Sequence, residues 1–217
     1  MSDAPGPPSG DRARSPAGPD SARAPLVGVV VLAAGASRRL PGPKQMLRHH
    51  GVTLVRRAAQ TALAAGCGPV VVVLPAGASQ LRFELVDLDL RMVENPHAAK
   101  GLSTSVRAGL EALEAGAGPE AVLFTTCDQP HLTADVLRRL IATWIASRPR
   151  AVACEYAGTV GVPALFSRSL FEELRALEGD HGAKQVLQRH ASEIALIPFE
   201  PGSLDIDTPE DAGTLDG

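Results

Sequence analysis

The feature that most constrains the fold is a valine-rich apolar run near the start of the chain, from Val27 to Leu32. Its residues do not alternate with polar ones, which is typical of a parallel strand that is buried on both faces. The run passes directly into Ala33-Ala34-Gly35, and a glycine in that place predicts a tight turn. The segment therefore predicts a buried strand followed by a glycine turn.

The same pattern recurs along the chain, with apolar runs separated by segments of helical spacing. Further strands are predicted at Val70–Leu74, Arg91–Val93, Ala121–Thr126, Ala151–Tyr156 and Ile194–Pro198. Helices are predicted at Thr53–Ala65, Ser103–Ala115, Leu170–Leu177, Ala183–His190 and from a cap at Thr133 to about Ser147. Ser169 and Glu172 have the spacing of a capping box. Strands that alternate with helices predict an α/β domain with a mainly parallel sheet.

The first 25 residues differ in composition from the rest of the chain. They contain six prolines, three glycines and four serines, and after Met1 they contain no large apolar residue. Such a segment cannot bury enough apolar surface to offset the entropy cost of ordering it, so we expect residues 1–25 to be a disordered tail. Residues 26–217 are then expected to form one domain.

Charge and composition exclude several classes of function. The net charge of -3 gives no reason to expect binding to nucleic acid or to a membrane surface. No apolar run approaches the roughly 18 residues that a membrane span needs. Three widely spaced cysteines, Cys67, Cys127 and Cys154, are predicted to be reduced thiols, which favours a cytoplasmic location.

In a parallel sheet ligands bind beyond the carboxyl ends of the strands, so the loop after Leu32 is a candidate site. It is rich in small residues, which let backbone N–H groups approach phosphate oxygens, and it carries the cations Arg38, Arg39 and Lys44. Lys44 is also one of only three lysines among 21 basic residues. The pattern matches neither a P-loop nor a dinucleotide fingerprint, and a solvated basic turn is the alternative interpretation.

Two aspartates are candidate metal ligands. Asp128 follows the predicted strand that ends at Thr126, and Mg²⁺ prefers one or two carboxylates together with water and phosphate oxygens. Asp128 could also simply start a turn before Pro130. Near the end of the chain, Thr208 and Pro209 can begin a helix, but this does not explain Asp207, for which a second magnesium carboxylate is the sharper interpretation.

These motifs resemble those of a known family, the nucleotidyltransferases related to molybdenum cofactor guanylyl- and cytidylyltransferases. The first loop resembles the family's L-A-A-G-x-S-x-R signature followed by P-K, and the later matches run in the same order to the end of the chain. The matching segments are Leu32–Lys44, Gly101–Gly109, Cys127–Pro130, Gly161–Phe166, Gly179–Lys184 and Asp205–Asp211.

The resemblance implies a single Rossmann-like three-layer nucleotidyltransferase domain that transfers CMP from CTP to the molybdenum cofactor and releases pyrophosphate. It implies that Lys44, Arg38 and Arg39 stabilise phosphate charge and that Asp128 and Asp207 hold Mg²⁺. The nucleotide-binding residues would be Ala33, Ala34, Gly35, Ser37, Ser103 and Ser105. Ala34 resembles the branch that uses CTP, since guanylyl enzymes tend to have Gly there.

The sequence departs from the family pattern in two places and leaves other functions open. Leu40-Pro41-Gly42 stands where a Met-Gly or Phe-Gly pair is usual, and Lys184 stands where Arg is usual. A related enzyme that uses GTP or a sugar or alcohol phosphate, a D-x-D glycosyltransferase and a non-catalytic cofactor carrier remain alternatives. The acceptor, and docking on a molybdenum hydroxylase, are not determined by the sequence.

Overall fold

The computed structural model describes residues 26–37, 39–116 and 118–215, so the proposed N-terminal tail and Arg38 lie outside the described residues. The main sheet has seven strands and a two-stranded hairpin lies beside it. The strands are β1 (Val27–Leu32), β2 (Arg48–His49), β3 (Val52–Thr53), β4 (Val70–Pro75), β5 (Arg91–Asn95), β6 (Ala121–Thr126), β7 (Ala151–Tyr156), β8 (Thr159–Ser167) and β9 (Ile194–Pro198). The helices are α1 (Leu54–Ala65), α2 (Ser79–Phe83), α3 (Leu102–Glu114), α4 (Ala134–Ser147), α5 (Phe171–Arg175), α6 (Ala183–Arg189) and α7 (Pro209–Ala212).

The main sheet is mainly parallel, as the alternation of strands and helices predicts. Its strand order is β5-β4-β1-β6-β8-β7-β9. Strand β8 is the exception, because it pairs antiparallel with both β6 and β7. The other four pairings of the sheet are parallel. The first predicted strand, β1, lies in the middle of the parallel half, and this explains why both of its faces are apolar.

Helices cover both faces of the sheet and complete a three-layer α/β fold. Helices α1 and α4 pack on one face, while α3, α5 and α6 pack on the other. Two glycines allow α3 to approach β1 closely. A Cβ on Gly28 would lie 2.6 Å from a methyl of Leu113, and a Cβ on Gly109 would lie 2.4 Å from a methyl of Val30. This close packing holds the second half of α3 against β1, and the first turn of the same helix borders a cleft beside the loop after β1.

One local prediction is wrong. Ser169 and Glu172 do not form a capping box, because Leu170 is the residue that precedes α5 and no side chain caps that helix. The Ser169 hydroxyl instead pairs with the hydroxyl of Ser167. The expected cap at Thr208 is confirmed, since its hydroxyl accepts from the backbone N–H of Asp211 and the Asp211 carboxylate accepts from the N–H of Thr208.

The sequence also makes predictions about the three cysteines and about membrane spans. Cys67, Cys127 and Cys154 are all free thiols, and burial raises the pKa of Cys127 and Cys154 to about 12. Among the helices that the structure describes, none is long and apolar enough to cross a membrane.

Candidate active site

Three segments of the chain meet at the carboxyl edge of the parallel strands. Strands β1 and β6 are neighbours, and their last residues, Leu32 and Thr126, are paired in register. The loops that follow them therefore start side by side. The segment after β9 joins these loops, because the backbone N–H of Ile206 donates to the carbonyl of Asp128 at 3.0 Å. Asp207 is brought to the sheet edge in this way.

The charged side chains of these segments form one ion cluster, consisting of Arg39, Lys44, Asp128 and Asp207. The Lys44 ammonium Nζ lies 2.5 Å from Oδ2 of Asp128 and 2.7 Å from Oδ1 of Asp207. The guanidinium of Arg39 contacts the other oxygen of Asp207 at 3.1 Å. The side chains of Lys44 and Asp128 are only 11% and 16% exposed, whereas that of Asp207 is 43% exposed. The ion cluster is therefore buried on the Asp128 side and opens to solvent at Asp207.

The electrostatics of the ion cluster favour the charged form of Lys44. Burial lowers the pKa of Lys44, but the charges and hydrogen bonds of Asp128 and Asp207 outweigh this and hold its pKa well above the ordinary value. Asp205 lies next to the cluster. Although the residue as a whole is exposed, desolvation of its carboxyl, together with the charge of Asp128, raises the pKa of Asp205 to about 6 against the lowering effect of Lys44. Negative charge is therefore concentrated here beyond what one lysine and one arginine neutralise.

The two carboxylates fit the requirements of a magnesium ion. Oδ1 of Asp128 is buried and has no hydrogen-bond partner among the described residues, although a buried carboxylate oxygen normally has one. An unpaired oxygen of this kind is a natural ligand for a hard cation. No group of three or more His, Cys, Asp or Glu side chains suited to a metal occurs in the described part of the chain. Asp128 and Asp207 would thus leave most coordination positions to water and phosphate oxygens.

The loop after β1 is held in shape by a residue that the sequence motifs did not single out, Gln45. Its side-chain amide donates to the carbonyls of Ala33 and Gly35, at 2.9 and 2.8 Å. The hydroxyl of Ser37 accepts from the backbone N–H of Lys44 at 2.7 Å. Both contacts fold the loop back onto its own end. In the sequence, the one signal for Gln45 is its place directly after Pro43-Lys44. The structure shows that this polar residue is buried, with only 2% of it exposed.

A cleft of about 1260 Å³ opens beside this loop. One wall consists of the described residues of the loop, 34–37 and 39–43, with Asp207 at its end. The opposite wall includes Ser105 of α3, whose hydroxyl accepts a hydrogen bond from the buried Asn95 at the end of β5. The cleft is thus bounded by the carboxyl ends of strands on one side and by the start of a helix on the other.

The far wall of the cleft contains a glycine rim, which we define as Gly101, Leu102, Gly179 and Asp180. Gly101 has φ +115°, and a Cβ there would lie 2.2 Å from the carbonyl carbon and oxygen of Gly179. The backbone N–H of Ser103 donates to the same carbonyl at 3.1 Å. Two backbone segments therefore touch at the rim, and only glycine fits at position 101.

The structure places the predicted site residues at different depths. Lys44, Asp128 and Asp207 converge in the ion cluster, and Ala34, Gly35, Ser37, Arg39 and Ser105 line the cleft. Ala33 and Ser103 are 0% and 1% exposed and lie behind this lining. Arg38 is outside the described residues.

Comparison with known proteins gives the family. The family model described as MobA-like NTP transferase domain matches residues 29–194, which include most of the sheet and the loops after β1 and β6. The chain belongs to this family of nucleotidyltransferases. The resemblance seen in the sequence motifs is thereby confirmed.

Members of the family that resemble this chain have different names. Nicotine blue oxidoreductase of Paenarthrobacter nicotinovorans is 32% identical over 198 residues, which cover 86% of this chain and 94% of that protein. Molybdenum cofactor cytidylyltransferase of Escherichia coli is 27% identical over 183 residues, covering 84% of this chain and 91% of that protein. The family model identifies the family, whereas the names of these two relatives refer to different substrates.

Solved structures agree with the fold. Rv0371c of Mycobacterium tuberculosis superimposes with a TM-score of 0.76 at 28% identity, covering 89% of this chain and 98% of that one. A second structure of Rv0371c, described as a complex with manganese, superimposes with a TM-score of 0.69, also at 28% identity, and covers 88% of this chain and 97% of that one.

Proposed function

We propose that this nucleotidyltransferase transfers CMP from CTP to the phosphate of the molybdenum cofactor, releases pyrophosphate, and requires Mg²⁺. The observation that carries the proposal is that two carboxylates, 79 positions apart in the chain, both contact the ammonium of Lys44. This contact lies at the end of the loop after β1, which contains Gly35. Lys44 contacts both carboxylates at once, and its side chain is only 11% exposed. Asp128 retains a further buried oxygen without a partner. This arrangement suits a site that exchanges cations and phosphates.

The reaction is an in-line attack on the α-phosphorus of CTP. An oxygen of the acceptor phosphate forms the new P–O bond, and the bond to the β-phosphate oxygen breaks, so that pyrophosphate leaves with its electron pair. The acceptor phosphate is already ionised and requires no strong general base. A divalent ion held by Asp128 and Asp207 would supply charge neutralisation and a template for the α-phosphate.

The residues of the chain contribute binding and charge. The turn at Ala34 and Gly35, held by Gln45, presents backbone N–H groups to phosphate oxygens. Lys44 and Arg39 offset the negative charge that develops on the departing pyrophosphate. Ser105, on the opposite wall of the cleft, is placed to contact the nucleoside. No residue forms a covalent intermediate in this scheme.

The choice of CTP and of the molybdenum cofactor rests on two supports. Ala34 stands where guanylyl enzymes tend to have glycine, and a relative that is 27% identical is named molybdenum cofactor cytidylyltransferase. The manganese complex of Rv0371c supports a divalent cation. We place the activity in the cytoplasm, where the three reduced thiols would persist.

The experiment is a screen of CTP, GTP, ATP and UTP with Mg²⁺ and the molybdenum cofactor, in which pyrophosphate release is measured. We expect release with CTP that depends on both the metal and the acceptor, and a cytidylylated product by mass spectrometry. Pyrophosphate release with GTP alone would assign the guanylyl reaction. Release with none of the four nucleotides would contradict the proposal.

The 32% identity to nicotine blue oxidoreductase favours one second candidate, a redox reaction on a small aromatic compound. Hydride transfer has no need for a lysine between two carboxylates, and for this reason we prefer group transfer. The two are separated by measuring NADH and NADPH oxidation in the same samples. A D-x-D glycosyltransferase would release a nucleoside diphosphate, and a carrier would release nothing.

A further inference from the structure

The place between Asp128 and Asp207 is filled by a side chain of the protein itself. Nζ of Lys44 lies 2.5 Å and 2.7 Å from one oxygen of each carboxylate. These are the two side chains that the proposed function assigns to the divalent ion. The inference below rests on that assignment, but it concerns a different property, namely what controls access of the metal.

An ammonium group and a magnesium ion cannot share this place. Mg²⁺ binds oxygen at about 2.0–2.1 Å. An ion that bridges Oδ2 of Asp128 and Oδ1 of Asp207 would overlap with the ammonium nitrogen, which contacts these two oxygens within 2.7 Å. An ion bound through the unpaired Oδ1 of Asp128 would lie close to the same ammonium, and the two positive charges would repel in a region of low exposure. Lys44 and the metal therefore compete for the two carboxylates.

A triphosphate supplies the reason for Lys44 to leave. Lys44 lies at the end of the loop that lines the cleft, and residues 34–37 and 39–43 of that loop form one wall of the cleft. Phosphate oxygens bound there offer Lys44 a new anionic partner. The same oxygens provide the ligands that a magnesium ion lacks when only two carboxylates are present. The nucleotide thus favours the exchange in two ways, because it offers a partner to the displaced Lys44 and ligands to the incoming metal.

We propose that, in the nucleotide-free enzyme, Lys44 acts as a built-in cation that competes with the divalent ion for Asp128 and Asp207 and weakens its binding until a triphosphate draws Lys44 away. Metal and nucleotide binding are then coupled through one side chain. In the nucleotide-free enzyme, Lys44 and not a metal ion holds the two carboxylates in place.

The first test measures Mn²⁺ binding in the absence of nucleotide, by electron paramagnetic resonance of the free ion. The variants are Lys44→Gln, Lys44→Arg and the control Lys184→Gln, which removes the same charge from an exposed lysine on α6. We expect Lys44→Gln to tighten the Kd for Mn²⁺ by about tenfold or more, because a competing charge is lost. Lys44→Arg and Lys184→Gln should bind as weakly as the wild type. Unchanged or weaker binding by a folded Lys44→Gln protein would overturn the proposal.

The second test uses the wild-type protein, so it does not depend on any variant folding. Lys44, Lys100 and Lys184 are the three lysines of the chain, and each can be followed by mass spectrometry after reductive methylation. Lys44 should be labelled slowly in the metal-free protein, since its side chain is 11% exposed and paired. Saturating Mn²⁺ should increase labelling of Lys44 several-fold and leave Lys100 and Lys184 unchanged. If saturating Mn²⁺ leaves Lys44 protected, Lys44 does not exchange with the metal.

A double variant separates failure of this inference from failure of the proposed function. Lys44→Gln with Asp128→Asn should lose the tight Mn²⁺ site that Lys44→Gln gains. If the double variant binds Mn²⁺ as tightly as Lys44→Gln does, the metal lies elsewhere, and the assigned ligands and this inference fail together. If the double variant loses the tight site while the enzyme releases no pyrophosphate from any nucleotide, the proposed reaction fails and the exchange of Lys44 for metal stands.

Discussion

The two walls of the cleft are built on opposite physical principles. The wall that carries the ion cluster is organised by charged side chains, with Lys44 within 2.7 Å of two carboxylates. The glycine rim is organised by the backbone alone, with Gly101 so close to Gly179 that a single methyl group would lie 2.2 Å from its carbonyl. Ion pairs between side chains stabilise one wall, and close backbone packing, which glycine permits, stabilises the other.

The difference indicates which wall can change during a catalytic cycle. Side-chain ions exchange partners without moving the backbone, so the ion cluster can pass from one cation to another. Backbone contact between two glycines has no such freedom and fixes the position of the wall that contains them. We therefore expect substitutions in the ion cluster to affect turnover more than stability, and substitutions in the glycine rim to do the reverse.

The largest effect is expected for Asp128→Asn. The change keeps the shape of the side chain and removes the charge that faces Lys44. Loss of a partner of a metal ligand already costs about 10–100-fold in affinity or activity, so loss of the ligand itself should lower kcat/KM by more than that. Pyrophosphate release at varied Mg²⁺ measures the effect. Asp89→Asn, on an exposed turn, is the matched control, and near-normal activity of Asp128→Asn at limiting Mg²⁺ would remove Asp128 from the metal site.

Lys44→Ala is expected to reduce kcat by roughly two to three orders of magnitude, because a charged contact to the departing pyrophosphate is lost. Lys44→Arg should restore only part of this, since a guanidinium keeps the charge but is longer than an ammonium and points its donors differently. Steady-state kinetics with CTP, after circular dichroism has shown that both variants are folded, distinguishes the cases. Wild-type kcat in Lys44→Arg would show that charge alone matters at this wall.

Gly101→Ala should have the opposite profile, with a loss of stability that exceeds any direct effect on chemistry. The left-handed backbone at φ +115° costs about 1–3 kcal/mol for a residue other than glycine, and the added methyl meets the backbone of Gly179. A fall of several degrees in Tm is expected. Gly42→Ala is the control, because a Cβ at Gly42 meets nothing within 4 Å. Equal Tm values for the two variants would contradict the backbone account of the rim.

The smallest effect is expected for Gln45→Leu. This change leaves the carbonyls of Ala33 and Gly35 without their donor, at a cost of about 1–3 kcal/mol for buried groups. The loop should loosen, so KM for CTP should rise by about tenfold while kcat changes less. Gln188→Leu, on the exposed side of α6, tests whether the effect belongs to the loop. A fall in kcat with unchanged KM would place Gln45 in the chemical step.

The strands that the sequence predicted best are those that form continuous apolar runs, whether buried, as in β1, or at the sheet edge, as in β9. Strands β1, β6, β7 and β9 have the predicted bounds, because long apolar runs between polar loops leave little choice. Strand β8 was not predicted. Its run from Thr159 to Ser167 contains Gly161 and Pro163, which normally argue against a strand, and only its neighbours β6 and β7 give it partners.

The candidate site was predictable in part. The rule that ligands bind at the carboxyl ends of parallel strands predicts from the sequence that the loops after Leu32 and Thr126 border one site. The position of Lys44 between the two carboxylates was not predictable, because it depends on side-chain distances across 84 and 163 positions of the chain. The glycine rim was missed for a similar reason, since a contact between Gly101 and Gly179 has no local signature.

The chain order of the ion cluster has a consequence for biosynthesis. Lys44 and Asp128 belong to the first two thirds of the chain, but Asp207 follows the last strand of the main sheet. A ribosome that releases the polypeptide from its N-terminal end delivers the second carboxylate only after every strand has emerged. A nascent chain can therefore assemble its sheet with Lys44 facing a single aspartate. The complete site arises only after the last strand of the main sheet has been made, when Ile206 docks against the carbonyl of Asp128.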